Sequence, residues 1–337
     1  MNRIAFFDTK PYDKLYFDCL NDGYDISYFE GKLNKNSAPV TKGYDAVVAF
    51  VNDDINAETI NIMAENGVKV LAMRCSGFSN VDLKAAKDKL TVVTVPAYSP
   101  YTVAEHAMAL LLSLDRKIHK AYHRTRDFNF SLNGLTGFLL RGKTVGVIGT
   151  GKIGQAFIEV CSGFGVNIIA YDPYPLNNSD IHYVDLEYLF KNSDIISLHC
   201  PLTDSSYHIL NKRAFDMMKD GVFIVNTSRG ALIDTEALLD ALNSERVKGA
   251  ALDVYEEESD LFFEDYSGVV INDDMLSLLI AHPNVLMTAH QAFLTDDALS
   301  TIAKVTYANL NAVLSGEQCK NEIVYKSKNR EKAPTVK

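Results

Sequence analysis

The stretch Thr144–Asp172, TVGVIGTGKIGQAFIEVCSGFGVNIIAYD, opens as an apolar run through Val145, Val147 and Ile148. It turns on Gly149, Gly151 and Gly154 and continues at helical spacing through Ile153, Phe157, Ile158 and Cys161. A second apolar run, Asn167 to Tyr171, ends on Asp172. Strand, Gly-x-Gly-x-x-Gly, helix, strand, carboxylate is the order that holds a dinucleotide. A glycine triplet alone is weak evidence, because an ordinary βα turn needs neither the second strand nor the acid. Here both are present.

The chemistry of the pattern selects the ligand. Gly149 permits the tight turn, Gly151 lets a pyrophosphate reach the backbone, and Gly154 lets helix and strand pack closely. The free N–H groups and the positive dipole end of the helix then face the phosphates. Asp172 stands 23 positions after Gly149 (172 − 149), where its carboxylate is expected to accept both ribose hydroxyls. A 2′-phosphate there meets a like charge, and no Arg or Lys follows within the next several residues. NAD is therefore expected, rather than NADP.

At 337 residues the chain exceeds one comfortable core, so two domains are expected. A net charge of −10 leaves no basic surplus to neutralise phosphates, which argues against nucleic-acid and anionic-membrane partners. Met1 leads directly into a strand, with no signal peptide and no apolar run of about 18 residues. Five scattered cysteines, Cys19, Cys75, Cys161, Cys200 and Cys319, form no C-x-x-C pair. They suit reduced thiols in a cytoplasm and suggest no metal site.

The first hundred residues alternate strand candidates (Ile4–Phe7, Ala46–Phe50, Val68–Ala72, Val92–Val95) with helices (Pro11–Leu20, Ala57–Glu65, Val81–Lys87), which implies a small parallel sheet. After Pro96 and Pro100 one long helix is expected from about Tyr101 to Arg124. A second series follows with strands at Val145–Ile148, Ile168–Tyr171, Ile195–Leu198, Phe223–Val225, Ala250–Leu252 and Val285–Thr288. Six strands around one glycine turn make a doubly wound α/β sheet. The last helix, about Asp296 to Leu314, has no strand of that sheet to serve and is expected to return to the first domain. The expected organisation is a substrate domain of 1–100 and 299–337, with a polar, disordered tail at 326–337, interrupted by a nucleotide-binding domain of 101–298.

Three polar clusters follow strands of the second sheet, where such sheets bind ligands. Arg229, in Asn226-Thr-Ser-Arg-Gly230, offers a planar fork that grips a carboxylate with two parallel hydrogen bonds. The run Asp253-Val-Tyr-Glu-Glu-Glu258 supplies carboxylates, of which Glu257 reads as merely solvated. His290 lies in the next cluster, and a neighbouring carboxylate would stabilise its imidazolium and set its tautomer. Singly, each has a bland reading as a surface ion pair, a solvated run or a packed histidine. Three in succession at strand ends are not independent accidents. His106 and His199 read as structural.

At these residues the chain resembles the D-2-hydroxyacid dehydrogenases, and among them the bacterial fermentative D-lactate dehydrogenases. The likeness runs from Asp8-Thr-Lys-Pro-Tyr-Asp13 to about Glu322. It rests on Arg74-Cys-Ser-Gly-Phe-Ser-Asn-Val-Asp82, Val95-Pro-Ala-Tyr98, the glycine turn with Tyr171-Asp-Pro173, His199-Cys-Pro-Leu202, Asn226-Thr-Ser-Arg-Gly230, Asp253-Val-Tyr-Glu256 and His290-Gln-Ala-Phe293. The resemblance implies a Rossmann domain inserted in a flavodoxin-like substrate domain, and reversible hydride transfer from NADH to pyruvate giving D-lactate. It implies that Arg229 anchors the substrate carboxylate, His290 exchanges the proton and Glu258 supports it. Backbone amides of Ser76 and Gly77, with Tyr101, would hold substrate between the domains, and Phe293 and Phe50 would limit a small pocket. Lys152 and Ile153 match the phosphate-turn positions and Asp172 the ribose acid, and Cys200, Pro201, Thr227, Ser228, Arg229 and Asp253 would border the cofactor, while Ser206 stands where relatives often carry Asn. A homo-oligomer, dimer or tetramer, is also implied. Rival readings are a hydroxypyruvate or 2-hydroxyisocaproate dehydrogenase, which differ in pocket volume, and an NAD-sensing corepressor, which needs accessory segments. Formate dehydrogenases lack the acidic partner of the histidine.

Overall fold

The computed structural model describes residues 1–177, 179–258 and 261–325; the expectation for the tail at 326–337 lies outside them. The chain divides into Met1–Tyr98 together with the segment from Thr295, and Ser99–Leu294.

In the first unit, β1 (Arg3–Phe6), α1 (Pro11–Leu20), β2 (Asp25–Tyr28), β3 (Ala46–Ala49), α2 (Ala57–Glu65), β4 (Val70–Met73), α3 (Leu83–Ala86) and β5 (Thr91–Val93) follow in order. The strands pair in parallel as β2-β1-β3-β4-β5, the flavodoxin-like order. Every residue of β3 and β4 is buried, as expected of strands covered on both faces. α1 starts on Pro11, where a missing N–H costs no bond, and Asn56 caps α2 by accepting from the amides of Glu58 and Thr59. Sequence reading overlooked β2. Its four residues, Asp-Ile-Ser-Tyr, form a half-exposed edge strand with one branched apolar side chain, too short and polar to stand out from loop.

The second unit begins with α4 (Pro100–Asp115) and α5 (Ile118–Arg126). A single helix was expected here, but Lys117 takes a left-handed φ of 52° and breaks it. The apolar stripe ends at Leu114; Ile118, counted as its continuation, is exposed, and α5 buries none of its residues. The sheet then forms from β6 (Thr144–Ile148), α6 (Lys152–Ser162), β7 (Asn167–Tyr171), α7 (Leu186–Asn192), β8 (Ile195–Leu198), α8 (Lys212–Met217), β9 (Val222–Asn226), α9 (Thr235–Asn243), β10 (Val247–Leu252), α10 (Asp274–Ala281) and β11 (Val285–Met287). All pairings are parallel, in the order β11-β10-β9-β8-β6-β7. The order reverses beside β6, so the glycine turn leaves the sheet at its switch point. On one face of the sheet, Ala107, Leu111 and Leu114 of α4 pack with Val147, Phe157 and Ala251.

The chain returns to the first unit in α11 (Asp296–Leu314), capped by Thr295. Tyr307 of α11 packs against Phe17 of α1 and stacks on Tyr24, and its hydroxyl donates to the Phe17 carbonyl at 2.8 Å. These contacts are why the last helix belongs with the first hundred residues.

Candidate active site

The glycine turn sits between β6 and α6. Gly149 adopts φ 95°, open to glycine, and its N–H donates to the Tyr171 carbonyl at 2.8 Å. A Cβ on Gly154 would fall 2.0 Å from the Gly149 carbonyl oxygen, so only glycine lets α6 approach the turn. A Cβ on Gly151 would meet nothing within 4 Å, which leaves room over the turn. Asp185, Asn211, Asp234 and Asp273 cap α7 to α10 with side-chain acceptors, whereas Gly151 gives α6 none. The first amides of α6 are therefore left for an outside acceptor.

Asp172 follows β7 beside the glycine turn, because Ile148 and Tyr171 pair in register. Its Oδ2 accepts from the Thr150 amide at 2.7 Å and the Thr150 hydroxyl at 3.1 Å, and Oδ1 accepts from the Tyr174 amide at 2.9 Å. Three of about four acceptor positions are thus filled internally. The remaining acceptor capacity lies mainly on Oδ1, the oxygen left to meet the ribose.

Beyond β8, His199 is buried and held in its neutral form; burial pushes its pKa down to about 3. Its Nε2 lies 2.8 Å from the Ser197 hydroxyl, and its ring packs on Phe157, in keeping with a structural role. Burial likewise pushes the Cys200 thiol up to about 11. Pro201 is exposed beside it. Ser206 donates to the Pro201 carbonyl at 2.7 Å, so its hydroxyl braces the loop. After β9, Ser228 donates to the Cys200 carbonyl at 2.7 Å, tying the two loops together. Thr227 Oγ1 is buried with no hydrogen-bond partner among the described residues. An unpartnered hydroxyl, uncapped amides and open space at Gly151 fit a dinucleotide along these strand ends.

Arg229, Glu258 and His290 follow β9, β10 and β11, three adjacent strands. Arg229 is half-buried, with Nη1 donating to the Ser228 carbonyl at 2.7 Å. His290 Nδ1 lies 2.8 Å from Glu258 Oε1, and Glu258 Oε2 accepts from the Tyr255 amide at 3.0 Å. Both side chains are about one-fifth exposed, at 21% and 19%. Because Nδ1 faces the carboxylate, Nε2 is the nitrogen left to meet a reactant. His290 holds φ 51°, a left-handed conformation that costs a non-glycine residue energy and recurs at functional sites.

Asp253 explains how that conformation persists. It is fully buried; Oδ1 accepts from the Gln291 amide at 2.9 Å and the Thr288 hydroxyl at 2.5 Å, and Oδ2 from the Ala292 amide at 2.8 Å. The His290 amide donates to the Asp253 carbonyl at 2.7 Å, and His106 Nε2 lies 3.3 Å from Oδ1. Burial works to raise the carboxyl pKa, but hydrogen bonds from His106, Thr288 and Gln291 outweigh it and hold the group below its ordinary value. Asp253 had been expected beside the cofactor. It is fully buried and clamps the loop that carries His290.

Other expected residues lie as follows. The Tyr101 hydroxyl, expected to line the substrate, donates to Glu159 of α6. Phe293 is buried with its ring edge-on to Phe263, which also lies 5.8 Å from the His290 ring. Ser76 and Gly77 lie in the loop after β4 of the first unit. There Arg74 is buried, 3.9 Å from the Phe50 ring centre, with its guanidinium 3.3 Å from Asp13 and donating to the Asp8 carbonyl at 2.7 Å. Phe50 thus serves as a platform for Arg74. Sequence reading missed the partner of Glu256, which is His208, 2.6 Å from Oε1, with Thr235 donating to Oε2 at 2.9 Å. No motif marks that pairing, since the three residues lie far apart in sequence.

Comparison with known proteins agrees with this fold. Residues 108–292 match the family described as D-isomer specific 2-hydroxyacid dehydrogenase, NAD binding domain. The chain is 51% identical to a D-lactate dehydrogenase of Escherichia coli (strain K12), over 96% of this chain and 100% of the relative. It resembles the apo-structure of D-lactate dehydrogenase from Escherichia coli with a TM-score of 0.88 at 49% identity, covering 96% of this chain and 100% of that one. It also resembles the pyruvate reductase of Chlamydomonas reinhardtii with a TM-score of 0.91 at 40% identity, covering 95% and 98%.

Proposed function

This chain belongs to the D-isomer specific 2-hydroxyacid dehydrogenase family, and from that membership we propose that it reduces pyruvate to D-lactate with NADH. The observation that carries the reading is the His290–Glu258 pair, which together with Arg229 follows three adjacent strands of an NAD-binding sheet at their carboxyl ends. Bound NADH supplies the hydride. Arg229 grips the 2-keto acid carboxylate with its fork and polarises the carbonyl. His290 Nε2 delivers a proton to the carbonyl oxygen, while Glu258 on Nδ1 stabilises the imidazolium and orients the ring. In lactate oxidation the same nitrogen takes the proton back. The amides of Ser76 and Gly77 are assigned to the substrate carboxylate on the resemblance, and Phe293 to the wall limiting its side chain. Gly149, Gly151, Lys152, Ile153 and Gly154 serve the phosphates, Asp172 the ribose, and Cys200, Pro201, Thr227 and Ser228 the remainder of the cofactor.

The relatives' names favour a small substrate, one being a D-lactate dehydrogenase and another a pyruvate reductase. The deciding experiment is NADH oxidation with pyruvate, hydroxypyruvate and 2-ketoisocaproate, compared by kcat/KM. Pyruvate should be preferred; a preference for either larger acid would reassign the enzyme within its family. We place it in the cytoplasm as a homo-oligomer. Phe128, Phe130, Leu132 and Leu139 are exposed by 83, 71, 80 and 73%, an apolar segment suited to cover by a second copy of the chain. Light scattering tests this, and a monomeric mass would remove it. No helix among the described residues is long and apolar enough to cross a membrane.

A further inference from the structure

The donors and acceptors around Asp172 admit one arrangement. A carboxylate only accepts, so the Thr150 hydroxyl, 3.1 Å from Oδ2, must donate to it. That hydroxyl has one proton. The Tyr183 hydroxyl, 2.9 Å from Thr150 Oγ1, must then be the donor toward threonine. Tyr183 in turn accepts from the Leu176 amide at 3.2 Å. The result is a one-way chain, Leu176 N–H to Tyr183 O–H to Thr150 O–H to Asp172 Oδ2, each bond polarising the next. Thr150 is 2% exposed, so the middle of the chain is shielded from competing water. With the Thr150 amide also on Oδ2, that oxygen is saturated and the carboxylate is held against rotation.

We propose that Thr150 and Tyr183 are specificity-determining positioning residues for the cofactor. They fix Asp172 so that one open acceptor on Oδ1 tells a ribose hydroxyl, which donates, from a 2′-phosphate, which only accepts and is charged alike. The inference rests on the NAD reading of the glycine turn and adds to it the device that aims the acid. Nothing in the Gly-x-Gly-x-x-Gly pattern requires a hydroxyl at the position Thr150 fills, and Tyr183 lies outside the pattern. Without the chain, Asp172 can turn away, which weakens NADH and relieves the repulsion of NADPH.

The test is calorimetric binding of NADH and of NADPH to the whole protein, with turnover left aside. Thr150→Val keeps the amide and the shape but removes the hydroxyl. It should lower the NADPH-to-NADH ratio of Kd values by roughly three- to tenfold, the scale of one internal hydrogen bond. Tyr183→Phe should move the ratio the same way by less, because Thr150 can still donate. Thr150→Ser retains the hydroxyl and should keep the wild-type ratio, which also separates the effect from misfolding. An unchanged ratio in both Thr150→Val and Tyr183→Phe overturns the proposal. So does a Thr150→Ser variant as impaired as valine, which would assign the effect to the methyl group. Failure of the NAD reading looks different: wild type itself would then show no preference for NADH.

Discussion

Glu258 and Glu256 lie two residues apart on one loop, and only the first meets His290. Replacing Glu258 by Gln preserves volume and an acceptor oxygen but removes the charge facing Nδ1 across 2.8 Å. Pyruvate reduction needs a protonated imidazole, so its rate declines on the alkaline side as that proton is lost. A hydrogen bond to a charged group is worth roughly 1.5–3 kcal/mol, so losing it should lower kcat about ten- to a hundredfold. Removing the carboxylate disfavours the protonated form, so the alkaline limb of the rate profile should move to lower pH. The pair is about one-fifth exposed, and solvent screening favours the smaller loss of kcat. The assay is the initial rate of NADH oxidation at saturating pyruvate across pH, with NADH binding measured separately to show an intact cofactor site. Glu256→Gln is the control, because that carboxylate faces His208 and Thr235. A limb that stays in place for Glu258→Gln but moves for Glu256→Gln would refute the assignment of the acid–base pair.

Four further outcomes are expected. Arg229→Lys keeps the charge but loses the fork; kcat/KM for pyruvate should drop about ten- to a hundredfold, with NADH affinity nearly unchanged. Loss of NADH binding alone would move Arg229 to the cofactor site. Phe293→Ala should raise activity on bulkier 2-keto acids relative to pyruvate, by an amount on the scale of ~1–3 kcal/mol per methylene; an unaltered order of substrates removes Phe293 from the wall. Arg74→Met leaves the buried carboxylates of Asp8 and Asp13 without their guanidinium, and chemical denaturation should show a loss of about 3–5 kcal/mol. A wild-type midpoint would mean that water or Lys10 compensates. For His199, burial sets the folded value near 3 against an ordinary 6.5, so in that window the unfolded chain binds more protons. Stability attributable to this residue is therefore present above pH 6.5 and falls by about 1.4 kcal/mol per unit as the medium is acidified toward 3. Wild type should accordingly lose stability relative to His199→Asn on acidification; a gap independent of pH would contradict the burial argument.

The residues by themselves determined the fold class, the dinucleotide turn and the family. These features are written in local patterns: apolar runs of strand length, glycines where backbone approaches backbone, and polar residues just after strands. The return of α11 was also legible, since an amphipathic helix left without a strand must bury its face elsewhere. What local pattern could not carry was partnership across the chain. Lys117 breaks a helix whose apolar stripe reads as continuous through Ile118, and β2 is an edge strand held by pairing with β1 rather than by its own apolar content. That Glu258, rather than Glu256, meets His290 follows from where β10 and β11 end and from Asp253 clamping the loop that carries the histidine. The orientation of Asp172 depends likewise on Thr150, 22 residues away in sequence (172 − 150) and brought to it by the pairing of β6 with β7, and through Thr150 on Tyr183, which bridges to Ala170 of β7. Hydrogen bonds act over about 3 Å whatever the sequence separation, so which donor meets which acceptor is decided by tertiary structure alone.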